Sequence, residues 1–161
     1  MSRLSGAFLL MVFFTTIIRA ATPAPVVTLA QKIQSACQEQ SLPAIKSCYC
    51  LKGASQEQID LQLSVWQEYF GKAGDNKHYQ LTKTEYRSLD EILADKTVNS
   101  RAIEMMVKPH KMGDSLYEPN LKIIGFLTVT FRNGSSSIGT VQAVGIGDDG
   151  LAYLSLDRSA K

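Results

Sequence analysis

Apolar residues recur at helical spacing in the N-terminal half of the chain and at strand spacing in its C-terminal third. Leu29, Ile33 and Cys37 step by four with Ala36 beside them, while Gln31, Lys32, Gln34 and Gln38 take the opposite side. This pattern predicts an amphipathic helix from Thr28. The preceding Thr22 to Val27, with Pro23 and Pro25, reads as an extended lead-in. After a connector holding Pro43 and Ala44, Ser55 and Gln58 have the spacing of a capping box, in which hydroxyl and amide satisfy opposite orphan N–H groups at a helix start. Behind it Ile59, Leu63, Trp66 and Phe70 recur at helical spacing, and Gly71 or Gly74 should end this second helix. Leu61, Val65 and Tyr69 widen its apolar stripe. They are candidates for a further contact surface, toward another helix of the domain or a partner protein.

Thr82 and Glu85 form another capping-box pair, followed by Tyr86, Leu89 and Leu93, which predicts a helix over 83–95. Ile103, Met105 and Val107 alternate as a short strand before Pro109, and His110 to Asn120 reads as a loop. Lys122 to Arg132 is then rich in β-branched and aromatic residues, and Asn133-Gly134 supplies a positive-φ turn to a returning strand, Ile138 to Ile146. Asp149-Gly150 marks a second turn before a strand from Leu151 to Leu156. Strict alternation would put Ile123, Leu127, Val129 and Phe131 on one face of the sheet and Ile124, Phe126, Thr128 and Thr130 on the other. The expected fold is α+β: two or three N-terminal helices, within about 28–95, packed on one face of a small antiparallel meander within about 102–157. The other face should be partly wet.

The first residues change the picture of where this domain works. Arg3 precedes an apolar and hydroxyl run from Ala7 to Ile18, and Ala20 and Ala21 follow Arg19. A charged start, an apolar middle and a small-residue exit describe a secretory signal peptide. The run is shorter than the ~18 residues of a membrane-spanning helix. The expectation is therefore residues 1–20 as signal peptide and residues 21–161 as a single exported domain without a membrane span. Its compartment would be the periplasm of a Gram-negative bacterium, or otherwise the cell exterior. Cleavage after Ala20 removes Arg3 and Arg19 and no acid, leaving 15 basic residues against 15 acidic. Such a balance offers no basic stripe for phosphates and argues against nucleic acid as a partner.

Export makes the cysteines interpretable. In an oxidising compartment Cys37 could bridge Cys48 or Cys50, stapling the first two helices with a stabilisation of roughly 3 kcal/mol. The third thiol would be left free, buried or paired with another chain. Cys48-Tyr49-Cys50 as a thiol-exchange pair lacks the adjacent helix N-terminus or cation that lowers a thiol's pKa. Gly145-Ile146-Gly147-Asp148-Asp149-Gly150 matches the string of a dinucleotide-binding loop, but a strand follows where a helix is needed, and its aspartates would repel a phosphate. The same aspartates lack the alternating oxygen ligands of a calcium loop. His78 and His110 have no zinc-type partner in sequence. Asn133-Gly134-Ser135 has the form of an N-glycosylation acceptor and is sufficiently explained as a turn. No metal or cofactor is implied.

These exclusions favour an exported, non-catalytic protein that binds another protein, such as a component or accessory of a cell-envelope or secretion assembly. The surfaces to consider are helix two and an edge of the meander. The competing reading is a small exported enzyme or pocket protein with polar groups such as His78, Tyr79 or Glu85 in a cavity. Thiol–disulfide exchange at Cys48 and Cys50 ranks third.

Overall fold

The computed structural model describes residues 15–17, 22–71, 79–98 and 121–156. Helix α1 (Ala24–Gln38) starts earlier than the periodicity predicts. Pro23 is its N-cap and Pro25 lies in its first turn, where a missing amide donor is one the helix could not use anyway. The expected extended lead-in is thus mostly helix. A short α2 (Leu42–Lys46) follows, with Ser41 Oγ accepting from the Ala44 amide at 3.3 Å. Helix α3 (Gln56–Phe70) begins at the predicted Ser55/Gln58 capping box and is capped by Gly71.

The helix expected over 83–95 is corrected. Gln80–Ser88 is a strand, and only Leu89–Ala94 is helical, labelled α4 after the three preceding helices. Its capping box is Ser88/Glu91, one turn beyond the predicted Thr82/Glu85 pair. Leu81, Thr84 and Tyr86 turn into the core, and the segment ladders with Lys122–Asn133 over its length, with a bulge between Leu81 and Lys83. A row of backbone hydrogen bonds and a buried face outweigh a local capping preference. The strand expected at Ile103–Val107 and the loop from His110 to Asn120 lie outside the described residues.

The sheet has the order β1-β2-β3-β4-β5: Thr15–Ile17, Gln80–Ser88, Lys122–Asn133, Ser136–Ile146 and Ala152–Leu154. Strands β2 to β5 run antiparallel to their neighbours, and β1 lies parallel to β2 on its outer side. The protein is therefore α+β, N-terminal helices on a C-terminal meander, with the sheet reaching back to Gln80. The β3–β4 turn holds Gly134 and Ser135, with positive φ only at Gly134 (58°). Glycine at the first of two turn residues suits the twist of a tight hairpin.

The main core joins Val26, Leu29 and Ile33 of α1, Ile45 of α2 and Trp66, Tyr69 and Phe70 of α3 to Leu127, Val129, Phe131, Val144 and Leu154 of the sheet. Phe131 meets Trp66 edge-on at 6.1 Å between ring centroids and stacks on Tyr69 at 4.8 Å. On the opposite face a smaller cluster, Phe126 and Ala143 beneath Ile92, seats α4.

The expected alternation along β3 fails at its start. A register shift between Ile123 and Gly125 places Ile124 against the helix-side core and Ile123 against the α4 side. Gly125 sits where β2 comes close: a Cβ there would lie 2.4 Å from the Arg87 carbonyl oxygen and 2.7 Å from the Tyr86 ring. The Tyr86 hydroxyl donates to the Ile124 carbonyl at 3.0 Å, holding that ring in place. Gly125→Ala should therefore lower unfolding free energy by about 1–3 kcal/mol, measured as a reduced urea midpoint.

Asp95, just past α4, accepts from Thr97 Oγ1 at 2.6 Å and from Arg87 at 2.7 Å. Those hydrogen bonds hold its carboxyl down at about 2. A carboxyl depressed in the fold contributes stability that is full above the unfolded value near 4 and lost as pH falls toward 2. Urea midpoints measured from pH 5 to pH 2 should accordingly fall less steeply in Asp95→Asn than in the parent.

Candidate functional site

A small hydrogen-bond network crosses the apolar core, and Tyr49 organises it. Helix α2 delivers residues 48–50 to the outside of β5, where Cys50 N donates to Leu154 O at 3.0 Å and Leu154 N to Cys48 O at 2.8 Å. That backbone clamp turns Tyr49 inward, to 4 % exposure. Its hydroxyl accepts from Trp66 Nε1 at 2.8 Å and donates to Gln142 Oε1 at 3.0 Å. Gln62 Nε2 also donates to Gln142 Oε1, at 3.3 Å, and Gln142 Nε2 donates to Thr140 Oγ1 at 2.7 Å. Burial pushes the Tyr49 phenol well above its ordinary range, so it stays neutral and acts as a structural link. Sequence reading passed over Tyr49 and Gln142, since neither belongs to a motif and one tyrosine between two cysteines gives no sign of its depth.

The three cysteines are free thiols, which corrects the expected staple from Cys37 to Cys48 or Cys50. Helices α1 and α2 are joined instead by apolar packing, with Ile33, Ala36 and Ile45 almost fully buried. Burial, with Cys48 nearby, pushes the Cys37 thiol up to about 12. Burial also raises Cys48, against the opposing effect of Lys32. Both shifts starve the thiolate that disulfide formation and exchange require. Cys50 is half-buried.

Of the predicted contact surface on helix two, now α3, only Leu61 stands out in solvent, at 52 % exposure. Val65 is partly buried against the main core. Tyr69 belongs inside, stacked on Phe131, because the sheet reaches across that side of the helix. Glu85 is ion-paired with Lys83 at 2.6 Å. His78 and His110 lie outside the described residues. The glycine string at 145–150 is the β4–β5 hairpin, closed by Gly147 N to Leu151 O at 2.9 Å, with Asp149 accepting from Tyr153 at 2.6 Å. A shallow groove of about 380 Å³ runs between α1 and α2, lined by Gln31, Lys32, Ser35, Glu39 and Ser47 among others. Among the described residues no cluster of three His, Cys, Asp or Glu side chains could hold a metal, and no helix is long and apolar enough to cross a membrane.

Two features can recognise another macromolecule. One is the outer face of the sheet beyond α4, where Val141, 61 % exposed, stands opposite half-buried Thr128. The other is the outer edge of β2. The far edge of the sheet is covered by the 48–50 clamp on β5, whereas on its outer side β2, nine residues long, pairs among the described residues with the three residues of β1. A scan against protein-family models and searches of curated proteins and of solved structures found no match to this chain. Class is therefore defined by fold alone: an α+β domain, N-terminal helices on a C-terminal antiparallel meander.

Two measurements follow from these buried groups. Tyr49→Phe leaves the Trp66 N–H without its acceptor and should destabilise the fold by about 1–3 kcal/mol, with strong coupling to Gln142→Leu in a double-mutant cycle. Alkylation of the native protein at pH 8, mapped by mass spectrometry, should label Cys50 first and Cys37 only on unfolding. Denatured, unreduced protein should titrate three thiols.

Proposed function

We propose that this chain is an exported, non-catalytic protein that acts by binding another protein, as a component or accessory of a cell-envelope or secretion assembly. The observation that carries this reading is the outer edge of β2, long, regular beyond its bulge and, among the described residues, paired with a three-residue strand alone. Unpaired backbone donors and acceptors along a strand edge are a ready template for another chain. Export is supported by the sequence of residues 1–20, with Arg3, the apolar run to Ile18 and the small residues after Arg19. In a Gram-negative bacterium the compartment is the periplasm. Val141 and Leu61 add apolar contact area on two other elements.

Two observations weigh against the competing readings. Glu85 is engaged with Lys83, and burial moves the Cys48 thiol away from the reactive form.

Expression of the full chain in its native host should yield an exported form whose intact mass begins at Ala21. Affinity capture from the envelope or medium fraction should recover a stable set of proteins, unchanged by reductant. A monomeric protein that recovers none, or one retained inside the cell from Met1, would refute the assignment.

A further inference from the structure

We propose that the outer edge of β2, from Lys83 to Ser88, is an acceptor site for an added strand: an uncharged, β-branched segment of a partner protein, running parallel to β2. The proposal rests on the binding role above and specifies the chemistry of the partner.

The register is already drawn by the chain itself. Thr15 pairs with Lys83, Thr16 with Thr84 and Ile17 with Glu85, in parallel. These three residues lie within the segment read as signal peptide, so cleavage after Ala20 would separate them from the sheet they pair with. The edge would then lose an intramolecular neighbour, whose high effective concentration no free segment matches. Its backbone groups would be left to water or to another chain.

Three features define what fits there. First, the bulge between Leu81 and Lys83 breaks the start of β2, leaving Lys83–Ser88 in regular register with β3. A partner strand of that length would pair over twice the span that β1 uses. Second, the charges beside the edge are satisfied internally, Lys83 by Glu85 at 2.6 Å and Arg87 by Asp95 at 2.7 Å. An incoming strand needs no charge, and an uncompensated one would compete with these pairs. Third, Thr84 is 2 % exposed and its hydroxyl has no hydrogen-bond partner, although a buried hydroxyl normally has one. Residues in register on neighbouring strands share a face about 5 Å apart. The hydroxyl is without a partner even though β1 places Thr16 in register with it, so the central position is selected for β-branched shape and not for a hydroxyl.

The test uses the full chain, expressed so that processed and unprocessed forms are both collected, and follows amide hydrogen exchange over Lys83–Ser88. The probe is a blocked hexapeptide with the sequence of residues 14–19 and glutamine in place of Arg19, alongside versions N-methylated at alternate residues and one with valine for the central threonine. Exchange over Lys83–Ser88 should be at least tenfold faster in the processed form, and saturating hexapeptide should restore protection. Because only alternate amides of a strand face its neighbour, one N-methylated series should abolish protection and the other retain it. Valine at the centre should bind about as well as threonine.

Equal exchange in both forms with no effect of peptide, or equal binding by both N-methylated series, would overturn the proposal. If no processed form is made, the export reading falls while the site is still tested, by the full chain carrying Thr15→Pro and Thr16→Pro with the hexapeptide supplied in trans. Protection restored there supports the acceptor edge. Loss of protection across β3 and β4 in that variant would make β1 an obligate strand and overturn it.

Discussion

The fold is tied together at a buried phenol. Tyr49 joins the segment after α2 to Trp66 on α3 and to Gln142 on β4, and each partner makes a further contact: Trp66 with Phe131, Gln142 with Gln62 and Thr140. A polar group this deep is tolerable only with its hydrogen bonds made, so the network constrains three elements at once. Helix α3 must lie so that Trp66 reaches the phenol, and β4 must be in the register that aims Gln142 inward opposite Leu127. Sliding β4 by one residue would send Gln142 to the wet face and break its bonds to Tyr49 and Gln62. The two backbone hydrogen bonds between residues 48–50 and Leu154 fix Tyr49 itself and cover the β5 side of the sheet.

That arrangement makes the two sides of the sheet unequal. On the β5 side the chain supplies its own cover, in the same stroke that positions Tyr49. On the β2 side the described residues supply β1 alone. Natural sheets blunt exposed edges with bulges, charge or short strands, and β2 uses the first two, a bulge after Leu81 and the Lys83–Glu85 pair. Both devices leave the backbone from Lys83 onward in regular geometry. A sheet protected on one side and lightly guarded on the other is suited to association through its open edge.

Chemistry that a motif search brings forward is absorbed by structure here. The glycine string is a hairpin, Glu85 is half of an ion pair, and burial raises the pKa values of Cys37 and Cys48 and so suppresses their reactivity. Among the described residues Leu61, Ile138, Val141 and Leu151 remain as large apolar side chains in solvent. The cysteine staple inferred from compartment and spacing is replaced by close packing of Ile33, Ala36 and Ile45, and a thiol held at about 12 is poorly placed to oxidise.

By itself the sequence determined the elements whose signals are local. The Ser55/Gln58 capping box began α3 where it was read, and the turns at Asn133-Gly134 and Asp149-Gly150 joined three strands in the expected order, because caps and turns depend on residues within a few positions of one another. It also determined the α+β class, since helical and strand periodicities occupy different stretches. The tertiary structure alone decided where local and distant preferences conflict. Thr82/Glu85 reads as a helix start, but pairing with β3 makes 80–88 a strand. Ile123 and Ile124 change faces because Gly125 must pass against Arg87, and Tyr69 turns inward because Phe131 lies beneath it. The outer edge of β2 was in the same way undecided by local signals: an edge exists only once a sheet has chosen its neighbours, and β2 takes its place through pairing of Gln80–Ser88 with β3, some forty residues further along the chain.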